Sequence, residues 1–439
     1  MGQEALRLEK KIRDKTARVG VVGLGYVGLP LVKTFLSKGF RVIGFDVDLR
    51  KVRLLNAGRS YIRHISTAEL RAYLKSRAFT ATADFKRLGE ADAILICVPT
   101  PLDDHLNPDL SYVLDTTRVI AARLRRGQLV VLESTTYPGT TDEEMLPILA
   151  RGGLKVGRDF FLAFSPEREN PGDPVFSTAT TPKVVGGVSR DCLRVAKALY
   201  DQIIVKTVPV SSTRVAEASK LLENIFRSVN IALVNELKMI FERMGIDVWE
   251  VIKAASSKPF GYMPFYPGPG YGGHCIPIDP FYLTWKAKEV GYATKFIELA
   301  GEINTAMPYY VVAKTVDALN ARGVAIKGAK VLVLGIAYKR DIDDQRESPA
   351  LKIISLLKAK GAKVAYHDPY VPRSRGHREY PGLDLASVPL SEARIKGSDA
   401  VVIATDHSRL DYAKIARRAR LVVDARNAVK RRARNVIKA

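Results

Sequence analysis

Strand-like and helix-like segments alternate twice along this chain, once in its first half and again after Lys330. Short β-branched runs separated by helix-length segments are typical of βαβ units around a parallel sheet. Runs such as AILICV are apolar almost throughout, which indicates strands covered on both faces. The sequence therefore predicts an α/β protein with two doubly wound sheets. The predicted strands of the first sheet are residues 18–22, 41–45, 93–98, 128–132 and 160–164, and those of the second lie in KVLVLGIAY, AKVAYHDPY, DAVVIATDH and RLVVDARN.

A segment of different character separates the two sheets. From Ser211 the chain keeps apolar residues at helical spacing, without proline or internal glycine, until Gly245, which predicts one long helix. The stretch that follows, KPFGYMPFYPGPGYGGHCIPIDP, is rich in turn-forming residues, as functional loops often are. We therefore divide the chain into a charged lead-in (1–16), a first sheet domain (17–210), a central helical domain (211–320) and a second sheet domain (321–439).

Composition narrows the possible classes of protein. The 439 residues carry a formal net charge of +23, which raises the possibility of a nucleic-acid binder, but the basic clusters have no interleaved aromatic residues for base stacking. Three scattered cysteines are too few for a disulfide framework or a structural zinc site. The charged N-terminus lacks the apolar core of a secretory signal, and the longest apolar stretch is too short for a membrane span. We expect a cytoplasmic protein with no metal and no nucleic-acid or membrane partner.

The first predicted strand leads into a glycine motif, Gly23-x-Gly25-x-x-Gly28. Glycines here allow a tight turn and let a pyrophosphate approach the backbone at a helix N-terminus. Asp46 ends the second strand, where a carboxylate accepts the ribose hydroxyls and repels a 2′-phosphate. This predicts a Rossmann-like domain that binds NAD in preference to NADP; a turn built only for packing is the alternative. The cofactor contacts that we expect are Gly23, Gly25, Tyr26, Val27, Gly28, Asp46, Thr100 and Thr135.

The second sheet does not repeat this motif, because Gly335 is followed by Ile336, Ala337 and Tyr338. Cationic residues instead stand near the carboxyl ends of its strands, where open sheets bind ligands. They include Lys339, Arg346 and Arg426. An anionic ligand such as a nucleotide diphosphate would suit this edge, and a solvated charged rim is the alternative.

Cys275 lies in the glycine-rich loop, next to His274. Glycines leave backbone amides accessible, as an oxyanion or diphosphate site requires, and a loop cysteine can be exposed enough to react. Cys97 and Cys192 instead lie in a buried strand pattern and a helix pattern, and we expect both to be packing residues.

Further polar residues stand at positions that suggest a site. On the long helix Glu217, Lys220 and Asn224 share one face. A desolvated lysine there could donate to an oxyanion, whereas an ordinary surface pair fits the spacing equally well. Thr135 and Glu167 follow two strands of the first sheet, on the edge predicted for the cofactor. A cofactor edge together with a nucleophile suggests hydride transfer combined with covalent catalysis.

Together these motifs resemble the UDP-glucose/GDP-mannose dehydrogenase family. The resemblance extends from Val19 to about Lys430 and rests on the glycine motif, EASKLLEN, GPGYGGHCIPIDP, AYKRDIDDQRESPA and VDARN. It implies oxidation of the C6 hydroxyl of a UDP-sugar to a carboxylate in two NAD-dependent steps, through a thiohemiacetal and a thioester on Cys275. It also implies a homodimer or higher homo-oligomer formed through the central helix.

The resemblance gives roles to individual residues. Lys220 and Asn224 would steady the oxyanion, Asp279 would orient or activate water, and Thr135 and Glu167 would position water. The substrate contacts that it implies are Glu167, Arg168, Lys220, Asn224, Phe265, Tyr266, Gly272, Lys339, Arg346 and Arg426.

The motifs SPEREN and PFYPGPGYGGHCIPIDPFYLTWKAKE look most like the branch of the family that acts on UDP-N-acetylglucosamine for surface polysaccharides. Pro171 stands where the UDP-glucose branch carries a second acidic residue. UDP-glucose and UDP-N-acetylmannosamine stay as alternative substrates. A one-step hydroxyacid dehydrogenase is an alternative reaction, although it would have no use for Cys275 or for a second sheet.

Overall fold

A computed structural model describes residues 2–62, 65–103, 105–168, 179–273, 275–375 and 380–439. Pro171 and His274 therefore lie outside the described residues. Contacts between residues divide the chain into two compact units. Unit 1 comprises residues 1–223 and 285–291, and unit 2 comprises residues 224–284 and 292–439. The three-domain division drawn from the sequence stays a prediction.

Within the described residues of unit 1, eight strands form one sheet in the order β3-β2-β1-β4-β5-β6-β7-β8. Neighbouring residues of its strands face opposite sides: Val131 packs into one apolar cluster, while Val130 and Leu132 pack into another. The nearly continuous apolar runs of the sequence are thus strands covered on both faces. The strands are β1 (Arg18–Val22), β2 (Arg41–Phe45), β3 (Phe79–Thr82), β4 (Ala93–Ile96), β5 (Leu129–Leu132), β6 (Phe161–Phe164), β7 (Lys183–Gly187) and β8 (Thr207–Val210).

Side-chain caps mark the beginnings of several helices of unit 1. Asp48, Ser66 and Ser189 accept hydrogen bonds from first-turn amides that would otherwise lack intrahelical partners. A π-helical turn, Thr140–Met145, precedes the short sixth helix. The α-helices are α1 (Gln3–Arg13), α2 (Gly28–Ser37), α3 (Leu49–Asn56), α4 (Thr67–Lys75), α5 (Ser111–Ala121), α6 (Leu146–Leu149) and α7 (Arg190–Tyr200).

One pairing reverses the direction of the first sheet. Strand β6 pairs antiparallel with β7, whereas the other neighbours in this sheet are parallel. Phe164, which ends β6, faces Gly186, so the chain beyond Phe164 runs alongside the beginning of β7. The sequence did not predict β7.

Helix α8 (Thr213–Arg243) runs from unit 1 into unit 2, and Gly245, with φ of +72°, follows it. A left-handed glycine just beyond a helix is a common stop, as the sequence predicted. The later helices of this middle region are α9 (Val248–Ala255), α10 (Asp279–Glu289) and α11 (Phe296–Asn320).

Unit 2 contains a second parallel sheet, in the order β10-β9-β13-β14-β15 among the described residues. Ser348 caps α12 by accepting a hydrogen bond from the amide of Ala350. A short hairpin, β11–β12, lies outside this sheet. The elements are β9 (Lys330–Leu334), α12 (Pro349–Ala359), β10 (Lys363–His367), β11 (Arg373–Ser374), β12 (Leu385–Ala386), α13 (Glu392–Gly397), β13 (Ala400–Ile403), α14 (Tyr412–Arg418), β14 (Val422–Asp424) and β15 (Val436–Lys438). The prediction of two doubly wound α/β sheets joined by a helical segment is confirmed.

No helix in the described ranges combines the length and the apolar character needed to cross a membrane.

Candidate active site

The glycine motif forms the turn between β1 and α2. Gly23 has φ of +92°, and a Cβ there would lie 2.3 Å from the main-chain oxygen of Cys97. At Gly28 a Cβ would lie 1.8 Å from the oxygen of Gly23, so both positions require glycine. At Gly25, in contrast, the space for a Cβ is open to 4 Å among the described residues, chain neighbours aside. An open backbone beside a helix N-terminus is what a bound pyrophosphate needs, and the turn therefore fits NAD.

Asp46 lies beside this turn at the end of β2, and only 6% of its surface is exposed. One carboxylate oxygen accepts from the amide of Leu24 at 2.9 Å and from Lys51 Nζ at 3.2 Å. The other accepts from the amide of Asp48 at 2.9 Å. A carboxylate fixed in this place disfavours a 2′-phosphate. Tyr26 and Val27, in the same turn, are partly buried against the core of unit 1.

Three further predicted residues follow adjacent strands of the same sheet. Thr100, Thr135 and Glu167 come after β4, β5 and β6, so they belong to the carboxyl edge of the sheet. Ser134 Oγ donates to the main-chain oxygen of Val98 at 2.7 Å and ties two of these strand ends together. The structure thus places these residues on the edge that carries the cofactor turn.

Lys220 of α8 also reaches this edge. Its side chain is buried, and Nζ donates to the main-chain oxygen of Glu167 at 2.5 Å. Arg168, the next residue, donates from Nη1 to the oxygen of Pro182 at 2.9 Å and pairs with Glu223. Lys220 is thus a desolvated lysine and not part of a surface Glu–Lys pair.

Glu217 shares a face of α8 with Lys220 but has a different task. Its fully buried carboxylate accepts from the amides of Gly139 and Thr141, at 2.8 and 2.9 Å, and from the Thr141 hydroxyl at 2.7 Å. Burial raises the pKa of Glu217 to about 7, although these hydrogen bonds lower it. The Glu217 carboxyl therefore anchors the π-helical turn. Within the described residues its hydrogen bonds go to this turn and not to Lys220.

In unit 2, Cys275 lies on the turn that leads into α10. It is exposed, and its main-chain oxygen accepts from the amide of Asp279 at 2.8 Å. Asp279 is 2% exposed, and its Oδ2 accepts from Asn224 Nδ2 at 2.6 Å. The thiol is therefore accessible on a turn whose far end is fixed by a buried carboxylate and amide.

The glycines of the cysteine loop serve close packing more than our sequence interpretation allowed. A Cβ at Gly272 would lie 2.6 Å from the oxygen of Glu347 and 2.8 Å from Tyr338, and the Tyr338 ring also crowds Gly273. The amide of Gly273 donates to the oxygen of Arg346 at 3.0 Å. The amide of Gly268 donates to Asn235 Oδ1 at the same distance. These two amides are therefore occupied by the protein.

The predicted cations of unit 2 occupy different surroundings. Arg346, on the chain after β9, forms a bidentate pair with the buried Asp344, with distances of 2.6 to 3.0 Å. Arg426 follows β14 and donates from Nε to the oxygen of Ala404 at 2.9 Å; burial lowers its pKa. A Cβ at Gly268 would lie 2.7 Å from Arg426 Nη1, so the cysteine loop and this guanidinium are neighbours. Lys339 lies in the same turn region after β9 and is half-buried.

Phe265 and Tyr266 lead into the cysteine loop and pack on helices of unit 2. Phe265 makes an edge contact with Phe226, with ring centres 5.6 Å apart. Tyr266 stacks on Trp249 at 5.9 Å and keeps 56% of its surface exposed. Both rings therefore hold the segment that leads into the cysteine loop against these helices.

The other two cysteines differ from Cys275 in their exposure. Cys97 and Cys192 are buried, and burial raises the pKa of each thiol. A thiolate is the reactive form of cysteine. Burial therefore disfavours the reactive form at Cys97 and Cys192, whereas Cys275 is exposed.

Family models match most of the chain. The NAD binding domain of the UDP-glucose/GDP-mannose dehydrogenase family matches residues 17–204, its central domain residues 214–306 and its UDP binding domain residues 332–431. The chain belongs to this family. It is a nucleotide-sugar dehydrogenase that uses NAD, as the resemblance implied.

Relatives within the UDP-glucose/GDP-mannose dehydrogenase family carry more than one substrate name. The chain is 38% identical to UDP-N-acetyl-D-glucosamine 6-dehydrogenase of Pseudomonas aeruginosa, over 90% of this chain and 91% of that protein. It is 35% identical to UDP-N-acetyl-D-mannosamine dehydrogenase of Pyrococcus horikoshii, over 94% and 96%. The solved structure of a UDP-D-ManNAc dehydrogenase from Pyrococcus horikoshii matches with a TM-score of 0.85 and 34% identity, covering 96% of this chain and 98% of that one.

Sequence reasoning missed several residues that shape the site of this dehydrogenase. Lys183 and Glu133 form a buried ion pair next to Glu167. Tyr338 packs against the cysteine loop, and burial raises its pKa to about 12. Asn235 joins α8 to that loop. The partners of these residues lie far away in sequence, so no local motif marks them.

Proposed function

We propose that this dehydrogenase oxidises the C6 hydroxyl of a UDP-sugar to the carboxylate through covalent intermediates on Cys275. The observation that carries the proposal is the exposed thiol on a turn anchored by Asp279 and Asn224, in a chain whose other cysteines are buried. A one-step oxidation would not require such a thiol. Oxidation to the acid level requires an intermediate between aldehyde and carboxylate, and a cysteine adduct provides it.

Oxidation of the C6 alcohol removes a hydride from carbon and a proton from oxygen and leaves an aldehyde. The Cys275 thiolate bonds to the aldehyde carbon, and the oxygen takes up a proton to give a thiohemiacetal. Loss of a second hydride and a second proton converts this adduct into a thioester, and water then cleaves the C–S bond, releasing the carboxylate, the thiol and a proton. NAD, when bound, supplies the hydride acceptor for each oxidation.

We assign the polar residues to steps in which charge develops. Lys220 and Asn224 donate to the C6 oxygen when it becomes anionic. Thr135 and Glu167 position water, and Asp279 orients or activates the water that cleaves the thioester. Burial of Lys220, Asn224 and Asp279 supports these roles, because charged and polar donors act more strongly away from bulk water.

We further propose that the carboxyl edge of the second sheet binds the UDP moiety. Guanidinium and ammonium groups are suited to a diphosphate. Lys339, Arg346 and Arg426 supply them, while Phe265, Tyr266, Gly272 and Arg168 complete the substrate contacts. The match of the UDP binding domain to residues 332–431 supports this assignment.

We propose UDP-N-acetylglucosamine as the preferred substrate, for the synthesis of a surface polysaccharide. The relative named for this sugar is 38% identical, and the one named for UDP-N-acetylmannosamine is 35% identical. Initial rates with these two UDP-sugars, UDP-glucose and UDP-galactose, followed as NADH, test the preference. A higher kcat/KM with any of the other three would overturn it.

We also propose that the chain forms a homodimer, or a higher homo-oligomer, through α8. Leu222, Phe226, Leu233 and Ile240 lie on one side of this helix, and each is 44 to 67% exposed. An apolar stripe of this length is typical of an interface. Sedimentation of the wild type as a dimer or larger, and of Leu233→Glu as a smaller species, is the expected result.

The covalent mechanism is tested by Cys275→Ala. We expect the variant to form no UDP-uronate, because no thioester can form, while wild type yields two NADH per molecule of product. Cys192→Ala, at a buried cysteine outside the site, is the matched control and should keep the two-to-one ratio. A ratio of one for the wild type, or full turnover by Cys275→Ala, would overturn the mechanism.

A further inference from the structure

A buried ion pair lies next to Glu167 at the carboxyl edge of the first sheet. Lys183 Nζ is 2.6 Å from Glu133 Oε2, and the two side chains are 3% and 0% exposed. The Tyr200 hydroxyl donates to the other oxygen of Glu133. Burying two charges is costly, and such a pair adds little stability compared with apolar residues of similar volume. Its presence therefore calls for another explanation.

The reversed strand brings this lysine to the site. Residues that begin a parallel strand lie at the edge opposite the ligand, but β7 runs antiparallel to β6. Lys183, the first residue of β7, consequently lies beside the chain that leaves β6. Its neighbours there include Glu167, Arg168 and Thr181. Lys183 therefore belongs both to the surroundings of Glu167 and to the buried interior of unit 1.

Lys183 holds the backbone of this segment directly. Its Nζ donates to the main-chain oxygen of Pro166 at 3.0 Å and lies 3.9 Å from Glu167 Oε2. Ser165 Oγ adds a bond to the oxygen of Val184 at 2.8 Å. Burial by itself lowers the pKa of Lys183, but the carboxylates of Glu133 and Glu167 outweigh it and raise the pKa. The amine is therefore a charged donor.

The next main-chain carbonyl, that of Glu167, is held by a residue of helix α8. Lys220 donates to the main-chain oxygen of Glu167, and Lys183 donates to that of Pro166. Two ammonium groups, one from β7 and one from α8, thus fix two successive peptide units. Any shift of the Pro166–Glu167 backbone would displace both the Glu167 carboxylate and the anchor of Lys220.

We infer that Lys183 is a positioning residue for catalysis: it fixes the Pro166–Glu167 backbone so that the Glu167 carboxylate and the Lys220 ammonium keep their reactive geometry. This inference rests on the roles proposed above for Glu167 and Lys220. Glu133 balances the charge of the buried ammonium, whereas the separate bond from Lys183 to the Pro166 carbonyl holds the backbone. Positioning errors of about 1 Å can cost ~100-fold in rate, so a large effect without direct substrate contact is expected.

The test uses two variants of the full-length enzyme. Lys183→Met with Glu133→Gln removes the donor to Pro166 without leaving a buried unpaired charge. Glu133→Gln alone removes the ion pair but keeps the lysine and its bond to Pro166, and it is the matched control. Each is assayed for kcat and KM with the UDP-sugar that the wild type turns over best, and for its melting temperature.

We expect the double variant to lose at least ~10-fold in kcat, because misplacement of catalytic groups acts on the transition state. The KM values for NAD and for the UDP-sugar should stay near those of wild type. Glu133→Gln should keep most of the wild-type kcat even if its melting temperature falls as far as that of the double variant. Wild-type kcat in the double variant, or an equal loss of kcat in both variants, would show that the pair only stabilises the fold.

The wild-type enzyme separates this inference from the proposed function. Failure of wild type to oxidise any UDP-sugar at C6 would count against the proposed function. A wild type that makes the uronate, together with a fully active double variant, would count against the role of Lys183 alone.

Discussion

Strands β1 and β9 end in the same kind of turn, at Gly23 and Gly335, but the residues around the two turns differ. Gly23 and Gly335 both have positive φ, +92° and +75°, and each donates its amide to the last residue of the neighbouring strand, at 2.8 and 2.9 Å. A Cβ at Gly335 would lie 2.4 Å from the oxygen of Thr405, much as one at Gly23 would meet Cys97. The close approach of the turn to the next strand is thus common to both sheets.

The acidic residue beside each turn also corresponds. Asp46 accepts from the amide after Gly23 at 2.9 Å, and Asp368 accepts from the amide after Gly335, that of Ile336, at 2.7 Å. Asp368 Oδ2 is further bound to His407 Nε2 at 3.0 Å, and His407 is fully buried. The amide of Asp341 donates to His407 Nδ1, so the Nε2 of the ring carries the proton that bonds to Asp368.

The difference lies in what each turn leaves available. In unit 1 helix α2 begins at Gly28, and Gly25 faces open space. In unit 2 the helix begins only at Pro349, and a buried histidine already satisfies the carboxylate. The first turn can therefore hold a dinucleotide. At the second turn the protein's own groups occupy the equivalent position, so we expect the carboxyl edge of that sheet to bind a different ligand.

The largest effect is expected where the first turn has no room. Gly28→Ala places a methyl group 1.8 Å from the Gly23 oxygen, so the turn must open. We expect at least a ~100-fold loss of NAD affinity, since the pyrophosphate depends on this backbone. Calorimetric titration with NAD measures it.

The counterpart Gly335→Ala should lose UDP binding and keep NAD binding. Gly25→Ala should keep the wild-type melting temperature while weakening NAD, because its methyl group meets no protein atom. If Gly28→Ala and Gly335→Ala each lost affinity for NAD and for UDP to the same extent, the two turns would not serve different ligands.

A smaller effect is expected at the two carboxylates. Asp46→Asn removes the charge that repels a 2′-phosphate, and kcat/KM with NAD should fall ~10-fold to ~100-fold, as is usual for a lost charged hydrogen bond. The ratio of rates with NADP and NAD should rise. Asp368→Asn is the matched variant in unit 2, and it should leave this ratio unchanged. An unchanged ratio in Asp46→Asn would show that the carboxylate does not select the cofactor.

The last comparison concerns stability and not ligand binding, at two buried acids that respond to pH in opposite directions. Glu217 in unit 1 has a pKa raised to about 7 by burial, above the ordinary 4.5. In Asp368 burial raises the pKa, but His407 and backbone amides outweigh it, and the net pKa is lowered. The stability linked to Glu217 is complete below about pH 4.5 and is lost as pH rises through about 7. That linked to Asp368 is present above its ordinary pKa and is lost only in acid.

Between pH 5 and 8 the free energy of unfolding should therefore fall by up to about 3 kcal/mol through Glu217. Glu217→Gln should flatten this slope in thermal melts across that range, because the amide does not titrate. Glu223→Gln, at a partly exposed site on the same helix, is the matched control and should keep the wild-type slope. A wild-type slope in Glu217→Gln would place the titrating group elsewhere.

Local patterns predicted much of this fold. The strands at Arg18–Val22 and Arg41–Phe45 have the predicted bounds, because each is a continuous apolar run that ends at a turn. The strand at Lys183–Gly187 was missed, since KVVGG is short and ends in two glycines. Gly186 and Gly187 make room for neighbouring backbone. A Cβ at Gly186 would lie 2.2 Å from the main-chain oxygen of Ser212, and a Cβ at Gly187 would lie 2.2 Å from the amide nitrogen of Leu193. Such tertiary causes leave no local signal.

The candidate site divides in the same way. Cys275 and Asp279 stand out by residue type within a loop, and the structure places them on one turn. The sequence could not show that Tyr338 crowds Gly273, because the two residues belong to different elements. It therefore overstated how many loop amides are open to a ligand. Lys183 was missed because its position follows from the reversed strand.

That reversal also affects how sequence variation reaches the chemistry. In a wholly parallel sheet the beginnings of strands lie far from the ligand and can change with little effect on it. Here the beginning of β7 lies beside Glu167, and both Thr181 and Lys183 are neighbours of that residue. Natural or engineered changes at Thr181 and Lys183 are therefore expected to alter the geometry around Glu167.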